Sequence, residues 1–199
     1  VTAPIEAPVP QAHALAQILI ADAARAQKRW AALARTPTHE QHLVAKRHLD
    51  YENASRLRLI TAQHGWPGRQ LVGVEGATAA WQIALHADGI AEFQRIAERL
   101  MHRAAHQGDA SFRQWAHLHD RCLLNSGRPQ QFGTQYQHGP HGPQRLPVLD
   151  PATLNDRRDA VGLPPAAPAL TAVRHRLTAH RGPSEEEAEG TSAPVMAAV

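Results

Sequence analysis

At 199 residues and 43% hydrophobic character, the chain can build one core of ordinary size and hardly two. Lys and Arg total 21 against 18 Asp and Glu, a formal charge of +3 dispersed along the chain with only nine Phe, Tyr and Trp, which argues against a nucleic-acid partner. The single cysteine, Cys122, excludes an internal disulfide and a thiolate metal cluster within one chain.

Residues 1–10 carry three prolines and no pattern, and read as a flexible lead. The opening VTAPIEAPVPQAHALAQ lacks the charged-then-apolar order of a signal peptide, and no run approaches the roughly 20 apolar residues that span a bilayer. The expectation is a cytoplasmic protein without a membrane partner. From Gln11 to about Arg35 there is neither proline nor glycine, and Leu15, Ile18, Leu19 and Ala26 fall near one face of a first helix. Its alanine content offers a surface on which a second copy would pack as a homodimer.

Thr36 before Pro37, with Thr38 and Gln41 as a competing capping box, starts a second helix that runs to Gly65. Its three-four stripe is Leu43, Lys46, Asp50, Asn53, Leu57, Ile60. Two polar side chains thus occupy core-facing positions, where each would cost about 1–3 kcal/mol if buried without a partner. The following HGWPGRQLVGVEG holds four glycines and one proline and reads as an irregular segment placing Trp66 as a lid or plug. Residues 77–87, ATAAWQIALHA, are apolar nearly all round and predict the central helix of the core.

After the break at Asp88 and Gly89, Phe93, Ile96, Ala97, Leu100, Met101 and Ala104 predict an amphipathic helix closed by Gly108. Asp109 is expected to cap the next helix, with Phe112, Trp115, Leu118, His119, Cys122 and Leu123 on its buried side. SGRPQQFGTQYQHGPHGPQRLPVL then holds four glycines and four prolines yet keeps Phe132, Tyr136, Leu146 and Val148, which predicts an ordered arm over the bundle. Asp150-Pro151 starts a helix to about Val161. Beyond Pro165 the prolines and the acidic run Ser184 to Glu189 predict a largely disordered tail with one short helix at 169–178. The fold class is therefore all-α: a compact multi-helix bundle over residues 11–164, with a long ordered C-terminal arm and a short final helix, followed by the tail 165–199.

Fourteen histidines set the chemistry apart and make net charge sensitive to acidity below neutrality. His86 and Asp88 sit at the end of the most apolar helix, where a histidine can act as general acid or base; the bland reading makes His86 a hydrogen-bonded core residue and Asp88 a cap. Asp50 and Asn53, three apart, can point at one ligand, a metal, or an arginine such as Arg121. In HLHDRC, His117 and Asp120 lie one turn apart, a spacing far less specific than HExxH. Gly133, Thr134 and Gln135 offer amides, a hydroxyl and a carboxamide that either bind a polar ligand or buckle the arm internally. His102 and His106, four apart, read as solvated surface histidines, and Cys122 as a small buried residue. No nucleotide-cofactor motif is present and the cofactor is left unknown; no metal ligand set is assigned, and a metal site would require three or more of His86, Asp88, His117, Asp120 and Asp50 to converge on one ion.

Asp50 with Asn53, HGWP at 64–67, Val72-Gly73, Ala80-Trp81 through His86-Ala87-Asp88, Phe93-Gln94 and Asp120-Arg121 form one part of a set. Pro129, Gln130, Phe132 to Gln135, and Arg157, Arg158, Val161, Gly162 and Leu163 complete it. Together, over roughly residues 45–165, they resemble the DUF6624-like family of small bacterial proteins of unknown function. The resemblance implies no reaction, only that these positions form one recurring constellation. This chain departs from it at Leu85, where the family has a pattern similar to Gln-His-Ala-Asp; if that glutamine contributes to a polar site, the resemblance implies that this member binds differently or has lost part of the activity. The reading that follows is a helical enzyme or ligand-binding protein acting on a polar small molecule or peptide, with His86, Asp88 and Asp120 as catalytic candidates. Asp50, Asn53, Trp66, Arg121, Thr134 and Gln135 are its binding candidates. The alternative is a non-catalytic interaction module with a buried His/Asp/Asn network.

Overall fold

A computed structural model describes residues 12–33, 40–139, 142–180 and 196–197. The described residues form seven α-helices and one small antiparallel sheet, and the chain divides into two units, Val1–Leu118 and His119–Val199.

In the first unit, α1 (His13–Leu33), α2 (Glu40–His64), α3 (Arg69–Leu85) and α4 (Ala91–His106) are followed by the start of α5 (Phe112–Asn125). The central helix is α3, which packs against α1, α2 and α4, as its lack of a solvated face predicts. The Thr36-Pro37 start expected for α2 lies outside the described residues. The buried face of α1 differs from the expected stripe: Ala16, Leu19, Asp22, Ala23 and Ala26 are buried while Ile18 is 42% exposed. Small residues win these positions because α1 and α3 approach closely. A Cβ on Gly76 would stand 2.8 Å from the Val72 Cβ and 3.3 Å from that of Ala16. The alanine face of α1 is thus used inside the unit.

The segment expected to be irregular is mostly helical. Only residues 65–68 form a loop, and α3 begins at Arg69 and kinks at Gly73, whose φ of 72° and ψ of 176° leave the helical region. Glycine adopts that geometry without the Cβ clash that other residues incur. Asp109 also acts differently from the expectation: its Oδ1 accepts a 2.7 Å bond from the Gln70 backbone N–H, so it caps α3. Ser111 serves α5 instead, its Oγ accepting from the Gln114 N–H at 3.4 Å. On α4, Phe93, Ala97, Met101 and Ala104 are buried as predicted, but Ile96 faces outward and Gln94 is buried at 1% exposure.

In the second unit the last turns of α5 lead into the arm. The arm contains a hairpin, β1 (Tyr136–Gly139) against β2 (Gly142–Arg145), and β1 also pairs with β3 (Met196–Ala197), giving the order β2-β1-β3. This small sheet was not expected from the sequence, whose prolines and glycines concealed it. A 3-10 turn at Pro151–Thr153 precedes α6 (Leu154–Ala160), and α7 (Ala166–His180) is longer than the short helix expected at 169–178. Among the described residues no helix is long and apolar enough to cross a membrane.

Candidate functional site

In the first unit, α1, α2 and α3 meet around a narrow crevice lined by Ala23, Ala26, Trp30, Asp50, Asn53, Ile83 and His86. It is too narrow to admit a water molecule. His86 is placed there because α3 ends on it: it is the C-cap residue, with φ −99° and ψ 12°. Asp50 and Asn53 arrive from consecutive turns of α2. The indole of Trp30 lies against the His86 ring at 3.6 Å between centroids, tilted by 37°. Three sequence-predicted residues therefore converge, and an aromatic cover that sequence reasoning missed closes over them. The Asn53 Nδ2 donates to the Asp22 carbonyl at 3.3 Å. Asp22, itself 1% exposed, accepts from Arg25 and, at 2.8 and 3.0 Å, from Arg56, clipping α1 to α2 beside the crevice.

Asp88 is exposed in a 3-10 turn, Asp88–Ile90, and its Oδ1 accepts from the Gln94 Nε2 at 3.1 Å. The same Nε2 lies 3.1 Å from the Ala84 carbonyl and 3.2 Å from that of Leu85, so Gln94 ties the end of α3 to α4. Trp66 lies outside the His86 crevice and lines a second cavity with residues of α3, α4 and α5. His102 and His106 face each other with Nε2 atoms 3.2 Å apart, and His102 stacks on Trp115 at 4.3 Å.

The second unit holds Asp120, Arg121, Thr134 and Gln135, all buried. Asp120 Oδ1 accepts from the backbone N–H of Gln131 and Phe132 at 2.8 and 2.9 Å. Its Oδ2 accepts from the Thr134 N–H and hydroxyl, both at 2.9 Å. Four donors fill the acceptor capacity of the carboxylate. Burial pushes the Asp120 carboxyl above its ordinary value, and the bonds from Phe132, Thr134 and Gln131 oppose that shift. On the other side of the same strand of arm, Arg158 Nη1 donates to the Phe132 carbonyl at 2.6 Å and its Nε to Pro164 at 2.7 Å, while Arg157 Nε donates to Gln131 at 2.8 Å. Burial lowers the Arg158 guanidinium from its ordinary value, with Arg145 acting the same way and Tyr136 and Asp120 opposing. Gln130 adds a side-chain rung: its Oε1 accepts from the Gln135 N–H at 2.7 Å and its Nε2 donates to the Gln135 carbonyl at 3.1 Å. The N–H groups of Gln131, Phe132 and Thr134 are thus taken by Asp120 and that of Gln135 by Gln130, while the carbonyls of Gln131, Phe132 and Gln135 accept from Arg157, Arg158 and Gln130, and the Gln130 backbone pairs with Pro147 and Leu149: the internal buckle that was one of the two readings of GTQ.

A family model covering most of the chain decides the family. The chain belongs to the DUF6624 family of unknown function. The family model matches residues 8–176, beyond both ends of the stretch that carried the resemblance. No curated protein and no solved structure matches the chain. In this DUF6624 member the residues that carried the resemblance divide by place: Asp50, Asn53 and His86 line the crevice, whereas Asp120, Gln130, Thr134, Arg157 and Arg158 hold the arm. Buried glutamines such as Gln94 and Gln130 leave no periodic signal, and only the resemblance drawn from the sequence marked them. Among the described residues no three His, Cys, Asp or Glu side chains gather to hold a metal ion.

Proposed function

We propose that this DUF6624 protein is a cytoplasmic ligand-binding protein or enzyme that takes a polar small molecule, or the end of a peptide, at His86. What carries the reading is the convergence of an imidazole, a carboxylate and a carboxamide on a crevice floored by Ala23, Ala26 and Ile83 and covered by Trp30. A few polar groups fixed within apolar walls is the usual build of a small-molecule site. His86 is the group suited to gain or release a proton, and Asp50 and Asn53 are suited to orient the ligand. Entry requires the Trp30 indole to turn off the His86 ring, so binding is coupled to a side-chain movement.

The narrowness of the crevice favours a second reading, an interaction module in which these residues are a buried structural network. A thermal-shift screen of polar metabolites, covering amines, carboxylates and nucleosides, separates the two. Under the first reading a stabilising compound loses its effect in His86→Ala and in Asp50→Asn, and gains affinity in Trp30→Ala. Stabilisation that persists in both site variants, or a screen without any stabilising compound in wild type and Trp30→Ala alike, would sink it in favour of the module.

A further inference from the structure

The cavity beside Trp66 is a separate feature of the first unit. Its volume of about 310 Å³ lies at the small end of ligand sites, and it opens to solvent. The loop before α3 contributes Trp66; α3 contributes Arg69, Val74, Ala77 and Thr78; Met101 comes from α4; and Ala110, Ser111, Arg113 and Gln114 surround the start of α5. In an unbroken helix, residues 69 and 74 would point roughly 140° apart. The kink at Gly73 resets the direction, so both reach the same cavity.

The lining divides by chemistry. Trp66, Val74, Ala77, Met101 and Ala110 provide apolar wall, while Thr78, Ser111 and Gln114 provide neutral polar groups. The charged members are two arginines, and no Asp or Glu lines the space. Both arginines are exposed, and neither guanidinium makes a hydrogen bond or ion pair among the described residues. Asp109, which neighbours Arg69 through a 3.0 Å bond from the Arg69 N–H to its carbonyl, has its Oδ1 occupied by the Gln70 N–H. Trp66 is 7% exposed, and its buried Nε1–H has no acceptor among the described residues, an unusual condition for a buried indole. Two uncommitted planar forks at the mouth of an apolar pocket match an anionic head on an apolar body.

We propose that this cavity binds a small organic anion, its apolar body against Trp66, Val74, Ala77 and Met101 and its carboxylate or phosphate head on Arg69 and Arg113. The site is independent of the His86 reading, and each stands or falls by its own variants. The test is a titration of the full chain with phenyl phosphate, followed by the indole ¹H–¹⁵N signal of Trp66, assigned from its absence in Trp66→Phe. Inorganic phosphate and benzyl alcohol serve as the head alone and the neutral body. Saturable movement of the Trp66 signal is expected with phenyl phosphate, and both fragments should bind at least ~10-fold more weakly. The double variant R69Q/R113Q changes only exposed side chains, so its remaining spectrum reports an intact fold, and it should lose at least ~10-fold in affinity. An unsaturable titration, equal binding of benzyl alcohol, or unchanged affinity in R69Q/R113Q would each overturn the proposal.

Discussion

Replacing Asp120 with alanine removes the acceptor for three backbone N–H groups and one hydroxyl at a position with no solvent exposure. At about 1–3 kcal/mol for each buried donor left unmatched, the gross loss is roughly 4–12 kcal/mol. Two effects reduce it: water can enter the vacated space, and the burial of a carboxyl whose ionisation is disfavoured ends. A net loss of about 3–5 kcal/mol is expected, as for other broken buried polar pairs. Asp120→Asn keeps one oxygen for Gln131 and Phe132 but turns an NH₂ toward the Thr134 N–H, so about 1–3 kcal/mol is expected. With a urea slope of about 2 kcal/mol per molar, the alanine variant should lower the unfolding midpoint by about 2 M. The pH dependence has a definite sign. Because the folded carboxyl lies above its ordinary 3.8, its contribution is fully present below pH 3.8 and is lost as pH rises through the raised value. The stability gap between wild type and Asp120→Asn should therefore widen on acidification from pH 7. An alanine variant within about 0.5 kcal/mol of wild type would refute the buckle, being the size of an ordinary surface substitution.

Gln94→Ala leaves the Ala84 and Leu85 carbonyls and the Asp88 carboxylate without their shared donor, and should cost about 2 kcal/mol in the same denaturation assay. Gly76→Val forces a side chain into 2.8 Å contact with the Val72 Cβ, 3.0 Å contact with its Cγ2 and 3.3 Å contact with the Ala16 Cβ; a loss of about 1–3 kcal/mol or more is expected, and Val72→Ala, which removes the Cγ2 but keeps the Cβ, should relieve only the second contact. Arg158→Met removes the donors to Phe132, Gly133 and Pro164, and calorimetry should show a loss of about 3 kcal/mol. The paired variant with Asp120→Ala should lose less than the sum, because both side chains hold the same arm.

The helices were legible because their signals are local. Gly65, Gly108 and Gly162 each take positive φ just past a helix, where glycine ends the turn without strain, and the apolar run 77–87 became the largely buried C-terminal half of α3 and its cap. Asp50 with Asn53 and His86 with Asp88 were legible as polar pairs on or beside apolar stripes; that Asp50, Asn53 and His86 share one crevice without Asp88 was not. The sequence by itself thus determined the helical class, most boundaries and three members of the crevice. Tertiary structure decided the rest, since partners distant along the chain compete for each polar group. Asp109 went to α3 although it precedes α5, because the Gln70 N–H lay within its reach. Trp30 came to cover His86, and Trp66 to line another cavity, because the paths of α1 and of the loop before α3 follow from close packing at alanine and glycine, which carries no directional signal in a single stripe. The sheet and the Asp120 buckle likewise exist only once the arm folds back on itself, when backbone groups that local structure left unsatisfied find acceptors and donors many residues away.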